Sequence, residues 1–225
     1  MIQRRFRVGA VHALTNAIPT TQAAFARKWS DAEVAHLLDG SLYLDRSLGI
    51  VDDACLASRI DRLIKYSALT GADGIIVTGS FFGDAVKQAR RGMNIPVATS
   101  FDGIIDRAVL FGRPLHVLAT ASDSSKLLST ELEKEAMKSS RCLSVSSSVV
   151  AGAMEALIGD DGEQHDHLVL EAVSRVDAGS VILFAQFSME RILLESAAIR
   201  AEPVIGPASE GVAQLRRLIV EGSPE

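Results

Sequence analysis

Gly71-Ala72-Asp73-Gly74-Ile75-Ile76-Val77-Thr78-Gly79-Ser80-Phe81-Phe82 decides the fold. An apolar, β-branched run is stopped by Thr78-Gly79-Ser80, and such a run reads as a strand buried on both faces and ended by a polar turn. Upstream, Leu56, Ala57, Ile60, Leu63, Ile64 and Ala68 recur at helical spacing within 52–69. Downstream, Ile95-Pro96-Val97 reads as a short strand. Strand, helix, strand in this order predicts a parallel sheet covered by helices.

The unit has a second copy. Ala178-Gly179-Ser180-Val181-Ile182-Leu183-Phe184-Ala185-Gln186-Phe187-Ser188-Met189 lies 107 residues further on, and the same offset carries Pro96 onto Pro203 and Val97 onto Val204. Strands are expected at 6–12, 34–38, 74–78 and 95–99, then at 115–119, 142–146, 180–185 and 203–205. The fold class is therefore α/β, with two similar Rossmann-like halves, each a parallel four-stranded sheet, related by pseudo-two-fold symmetry. The first half takes 1–110, to which the C-terminal helix 207–220 can be added, and the second takes 111–206. Ligands bind beyond the carboxyl ends of parallel strands, so a cleft between the halves is the expected site.

Composition narrows the partners. The chain has 225 residues, is 48% hydrophobic and carries a net charge of −5. That balance offers no basic footprint for nucleic acid, and an aromatic content of 5% offers few stacking platforms. The start Met1-Ile2-Gln3-Arg4-Arg5-Phe6-Arg7 is basic but lacks the apolar core of a secretory leader. No run reaches the roughly 20 apolar residues of a membrane span, so a cytoplasmic location is expected. Cys55 and Cys142 form no disulfide framework or Cys-x-x-Cys motif, and each reads as a small buried apolar residue. His165-Asp166-His167 reads as a solvated loop or helix start rather than a metal site.

The order of these motifs resembles the aspartate, glutamate and hydantoin racemases. The segment 71–83 is similar to that family's first motif, where a strand runs into Cys-Ser, Cys-Asn or Cys-Thr. The segment 181–189 is similar to its second, usually Cys-Thr-Gly-Met. His12-Ala13-Leu14, Leu37-Leu38-Asp39-Gly40-Ser41-Leu42 and Leu118-Ala119-Thr120 stand where other family landmarks fall, so the resemblance spans nearly the whole chain. It implies a homodimer and a cofactor-independent reaction on a small carboxylate. In that reaction one thiolate removes the α-proton and a second returns it from the opposite face. Here both cysteine positions are changed, the first to Gly79 and the second to Gln186. Neither can act as a base, so the two-cysteine mechanism is not available. The related arylmalonate decarboxylases also carry glycine at the first position but keep the second cysteine.

The candidate substrate-binding residues are Asn16, Thr78, Gly79, Ser80, Thr120, Gln186 and Ser188. Thr78-Gly79-Ser80 suits a carboxylate cradle of backbone N–H groups and hydroxyls, or else an ordinary helix cap with Ser80 as N-cap. His12 and Glu190 are the candidate catalytic residues in place of the thiols; each also reads as a structural group. Asp45 reads either as a rim residue or as a partner of Arg46, and Asp84 as a helix-dipole acid. No metal ligand set is expected. The function expected is a racemase- or isomerase-like enzyme on an amino acid or hydantoin-type carboxylate. An arylmalonate-type decarboxylase and a catalytically inactive small-carboxylate binding protein are the alternatives.

Overall fold

A computed structural model describes residues 5–222. The basic stretch at Met1–Arg4 lies outside the described residues. Two compact units form, the first comprising Met1–Gly103 with Gly211–Glu225 and the second Ile104–Glu210.

The first unit contains β1 (Arg7–His12), α1 (Ala17–Lys28), β2 (Glu33–Leu38), α2 (Ser41–Ser47), α3 (Asp53–Leu69), β3 (Gly74–Val77), α4 (Gly83–Ala89) and β4 (Val97–Ala98). Helix α5 (Asp102–Ala108) leads into the second unit. There follow β5 (Leu115–Ala119), α6 (Ser122–Lys138), β6 (Val145–Val149), α7 (Ala153–Ile158), α8 (Gly162–Arg175), β7 (Val181–Phe184), α9 (Leu193–Ala198) and β8 (Val204–Ile205). Helix α10 (Pro207–Val220) ends the described chain.

Both sheets are four-stranded and wholly parallel, in the orders β2-β1-β3-β4 and β6-β5-β7-β8. The duplication read in the sequence is carried by the strands themselves. The 107-residue offset takes Gly74–Val77 onto Val181–Phe184 and Val97–Ala98 onto Val204–Ile205. In each sheet the chain leaves the first strand in one direction and returns to its other side, which makes a topological switch point between β1 and β3 and between β5 and β7.

Local chemistry explains the elements. Asp52 caps α3 by accepting from the Cys55 N–H at 2.8 Å, and Leu56, Ile60 and Ile64 then share the buried face. In the second unit Asp161 caps α8 by accepting from the Gln164 N–H at 2.9 Å. The central strands β3 and β7 are apolar and buried along their whole length. The second core gathers Leu118, Val169, Val173, Ile182, Phe184 and Met189.

Three expectations need correction. The strand expected at 142–146 is Val145–Val149, so it runs through the serine-rich stretch. Pairing with β5 in the register Leu115↔Val145 overrides the weak strand preference of serine. Cys55 and Cys142 are exposed, because Cys55 falls on the outer face of α3 and Cys142 precedes β6 on the surface. His165 is not solvated: it is 0% exposed within α8, its Nδ1 lying 2.8 Å from the Asp166 carboxylate. Among the described residues no cluster of His, Cys, Asp and Glu is suited to hold a metal ion, and no helix is long and apolar enough to cross a membrane.

Phe184 is the largest of the fully buried side chains and fills the second core. Phe184→Ala should therefore cost about 3–5 kcal/mol of stability, read by urea unfolding at neutral pH.

Candidate functional site

The polar groups gather at the switch point of the first sheet. His12 ends β1 and Thr78 follows β3, and the parallel pairing of those strands brings their side chains together. His12 Nδ1 lies 3.0 Å from Thr78 Oγ1, and His12 Nε2 lies 3.0 Å from Nδ1 of His36 on β2. His36 Nε2 in turn lies 3.0 Å from Gln22 Oε1 on α1. His36 sits opposite Ala10 in the register, which makes it the diagonal neighbour of His12 on one face of the sheet.

This chain of contacts fixes its own protons. The Gln22 oxygen accepts, so His36 carries its proton on Nε2 and presents Nδ1 as an acceptor. His12 then donates from Nε2, and its Nδ1 accepts the Thr78 hydroxyl proton. The alternative acceptor for that hydroxyl, the Val11 carbonyl, is further away at 3.3 Å. This assignment is that of neutral rings, the form that burial favours in both. Burial, reinforced by the neighbouring His36, pushes the His12 pKa down from 6.5 to about 4. Burial also lowers that of His36. The relay runs from Thr78, 2% exposed, to Gln22 at the surface.

The loop after Thr78 is shaped by glycine. Gly79 has φ 98° and ψ 100°, a conformation that side chains strain to adopt, and a Cβ there would come within 3.1 Å of the Phe82 ring. The turn is thus specific to glycine. Ser80 is not an N-cap; it opens the short 3-10 turn Ser80–Phe82, with Gly79 in the flanking position. Helix α4, which follows, has only 7 residues, so the dipole of a long helix is not brought to this loop. Phe81 is half-buried and lies under the Arg46 guanidinium, 4.7 Å from ring centroid to carbon, with Tyr43 beside it. Asp45 does not pair with Arg46. It binds Arg59 at 2.6 Å, and Arg59 also holds Asp39 at 2.8 Å. Asp84 is 95% exposed. Asn16 is exposed at the start of α1 and makes no side-chain cap bond there.

The second sheet closes its switch point differently. Gln186 Oε1 accepts from the Thr120 N–H at 2.7 Å, and Gln186 Nε2 donates to Thr120 Oγ1 at 2.8 Å. The ends of β5 and β7 are thereby tied together. Ser188 is buried in the 3-10 turn Phe187–Ile192. Glu190, in the same turn, is 2% exposed and accepts from the Ser209 N–H at 2.9 Å and from its hydroxyl at 2.6 Å. Its carboxylate thus serves the amino end of α10. A Cβ on Gly206 would lie within 2.4 Å of that carboxylate, so glycine makes room for it.

Of the candidates read from sequence, the structure brings His12 together with Thr78, and Thr120 with Gln186. Thr78, Gly79 and Ser80 are consecutive in one turn. Glu190 and Ser188 share another turn. His36 and Arg46 were not among the candidates. His36 could have been found from the alternation of β2, which places it on the face of His12; no sequence signal marks Arg46.

A parallel doubly wound unit, present twice and carrying polar groups at its strand ends, defines the class as a duplicated α/β protein. The chain belongs to the Asp/Glu/Hydantoin racemase family, whose model matches residues 13–217. Among solved structures, allantoin racemase from Klebsiella pneumoniae is similar at 16% identity, covering 96% of this chain and 89% of its own, with a TM-score of 0.70. A glutamate racemase isoform from Bacillus anthracis is 12% identical over 97% of this chain and 83% of its own, with a TM-score of 0.71. The aspartate racemase of Picrophilus torridus is 11% identical over 95% of this chain and 94% of its own, with a TM-score of 0.70. No curated protein sequence matches the chain.

The lowered pKa of His12 has a sign that can be tested. Between pH 6.5 and about 4 the unfolded histidine binds a proton that the folded one refuses. Stability contributed by neutral His12 is complete above pH 6.5 and is lost as pH falls towards 4. The loss attributable to this group is roughly 3 kcal/mol. Urea unfolding across this range should show a smaller decline in His12→Asn, whose side chain does not titrate.

Proposed function

We propose that this chain is a cofactor-independent racemase- or isomerase-like enzyme that moves a proton at the carbon next to a carboxylate, on a small substrate of the amino-acid or hydantoin type. One observation carries the reading: the buried hydroxyl of Thr78 is hydrogen-bonded to a relay of two histidines, His12 and His36. Thr78 would take the α-proton as its own hydroxyl proton passes to His12 Nδ1. His12 would pass its Nε2 proton to His36, and His36 would release one towards Gln22 and solvent. Return of the protons along the same chain would restore the resting state; delivered to the same face they give α-proton exchange, and racemisation would require the planar enolate to turn over in the site before the proton returns. Such a relay would carry the proton to solvent while leaving both rings neutral, with no charge held on a buried base.

The substrate carboxylate would meet the Gly79 and Ser80 backbone and the exposed guanidinium of Arg46, whose planar donors suit it. Asn16, Thr120, Gln186 and Ser188 are proposed as further binding residues. Glu190 would be a proton carrier only after leaving Ser209; while bound there it positions α10. The reaction would proceed in the cytoplasm, in a homodimer.

A second reading is a small-carboxylate binding protein that has lost catalysis. It is favoured by the second unit, where Gln186 and Glu190 both spend their polar atoms on internal bonds. An arylmalonate-type decarboxylase would need a proton donor where Gln186 stands, and the relay in the first unit would have to supply it.

Proton NMR in deuterated buffer, with amino acids, hydantoins and substituted malonates, separates the readings. The enzyme reading expects loss of the Cα–H signal, reduced at least ~100-fold in Thr78→Val and His12→Asn. Arg46→Ala should raise KM about tenfold with kcat little changed. Absence of both exchange and carbon dioxide release, with a ligand that raises Tm saturably, would establish the binding reading instead. Gly79→Cys should cost about 1–3 kcal/mol through backbone strain. Even combined with Gln186→Cys it should yield little racemase activity, because the turn no longer fits a side chain there.

A further inference from the structure

Four strands lie at sheet edges, and three carry a device against edge-to-edge pairing. Strands β4 and β8 have only two residues each. Strand β2 carries Glu33, which is ion-paired with Arg7 at 3.0 Å. Natural edges are blunted in these ways, by shortness or by charge. Strand β6 has neither. It is five residues long, Ser146, Ser147, Ser148 and Val149 are all exposed, and no charged residue occurs between Arg141 and Glu155. Among the described residues β6 pairs with β5 alone.

The sequence of that edge is a palindrome, Val145-Ser146-Ser147-Ser148-Val149. Its hydrogen-bonding parity matches the palindrome. The Ser144 carbonyl accepts from Leu115, and the Val150 N–H donates to Ala119, so the even-numbered residues bond to β5. Backbone groups alternate sides along a strand, and those of Val145, Ser147 and Val149 therefore point outward. The palindrome is centred on Ser147, one of the outward residues. On the other parity a two-fold axis through this centre would have aimed both strands' bonds away from each other.

We propose that β6 is a homodimerisation edge, joining a second copy of this chain antiparallel about a two-fold axis at Ser147 into one eight-stranded sheet. Ser147 pairs with the partner's Ser147, and Val145 with the partner's Val149, each pair exchanging both N–H···O bonds. Ser146 faces the partner's Ser148 on the side of the sheet where His116 already holds both hydroxyls, at 2.9 Å and 2.8 Å. Like sets of valines and serines meet, and the paired strands themselves bring no charge against another. The proposal rests on the homodimer of the reading above and gives it an interface; it is independent of the proton relay.

Sedimentation of the full chain tests it. The wild type should sediment at twice 24.0 kDa. Ser147→Pro removes the central donor, and Ser147→Lys sets two ammonium groups opposite each other. Both should sediment at 24.0 kDa with unchanged circular dichroism. Because Ser147 is exposed, the lysine variant keeps the test decisive if the proline variant does not fold. With Cys55 and Cys142 changed to serine, Ser147→Cys should cross-link into a dimer on mild oxidation, since paired Cα atoms about 5.5 Å apart suit a disulfide. A wild type that is monomeric at every concentration, or a dimer indifferent to Ser147→Lys, overturns the proposal.

Discussion

The hydrogen bond between Thr78 and His12 is the contact on which the site depends. It joins the ends of β1 and β3, the two strands between which the first sheet changes direction, and there a parallel sheet exposes its carboxyl-end loops. Because His12 is wholly buried, only the neutral ring is comfortable there, and His36 and Gln22 then dictate which nitrogen bears the proton. One constraint, burial without a counter-ion, thus sets charge, tautomer and the direction in which the Thr78 hydroxyl points. Protonation of His12 would break the series at once.

The two units solve the same geometric problem with different chemistry. Each ties its central strands together beyond their carboxyl ends, the first through an imidazole and a hydroxyl, the second through a carboxamide and a threonine. An amide does not titrate, so the second closure fixes geometry without offering proton transfer. The backbone at Gly79 and at Gln186 is correspondingly different. Gly79 comes with a turn that excludes a Cβ, whereas Gln186 occupies a conformation open to any residue. The first unit turns on its glycine, and the second is braced by its carboxamide.

Much of the fold was legible because strand spacing is written in apolar runs. The 107-residue repeat places β3 on β7 and β4 on β8 without slippage, since both pairs are buried strands of Ile, Val, Leu and Phe. Strand β6 was read three residues early, because serine has no strong local preference and only its pairing with β5 sets its limits. The site was legible in part. His12, Thr78 and Gly79 stand in motif positions, but His36 enters through register, Arg46 through packing on Phe81, and the use of Glu190 at α10 through a contact with Ser209. Those are tertiary facts, and no spacing in the sequence encodes them.

The neutral relay is tested most directly by long-range proton–nitrogen correlation spectra of the imidazole rings in nitrogen-15-labelled protein at neutral pH. The account predicts that His12 and His36 are both uncharged, with protons on Nε2 and unprotonated Nδ1, and that His12 keeps this state well below pH 6.5. An imidazolium signal from His12 at pH 7, or a proton on its Nδ1, would contradict it.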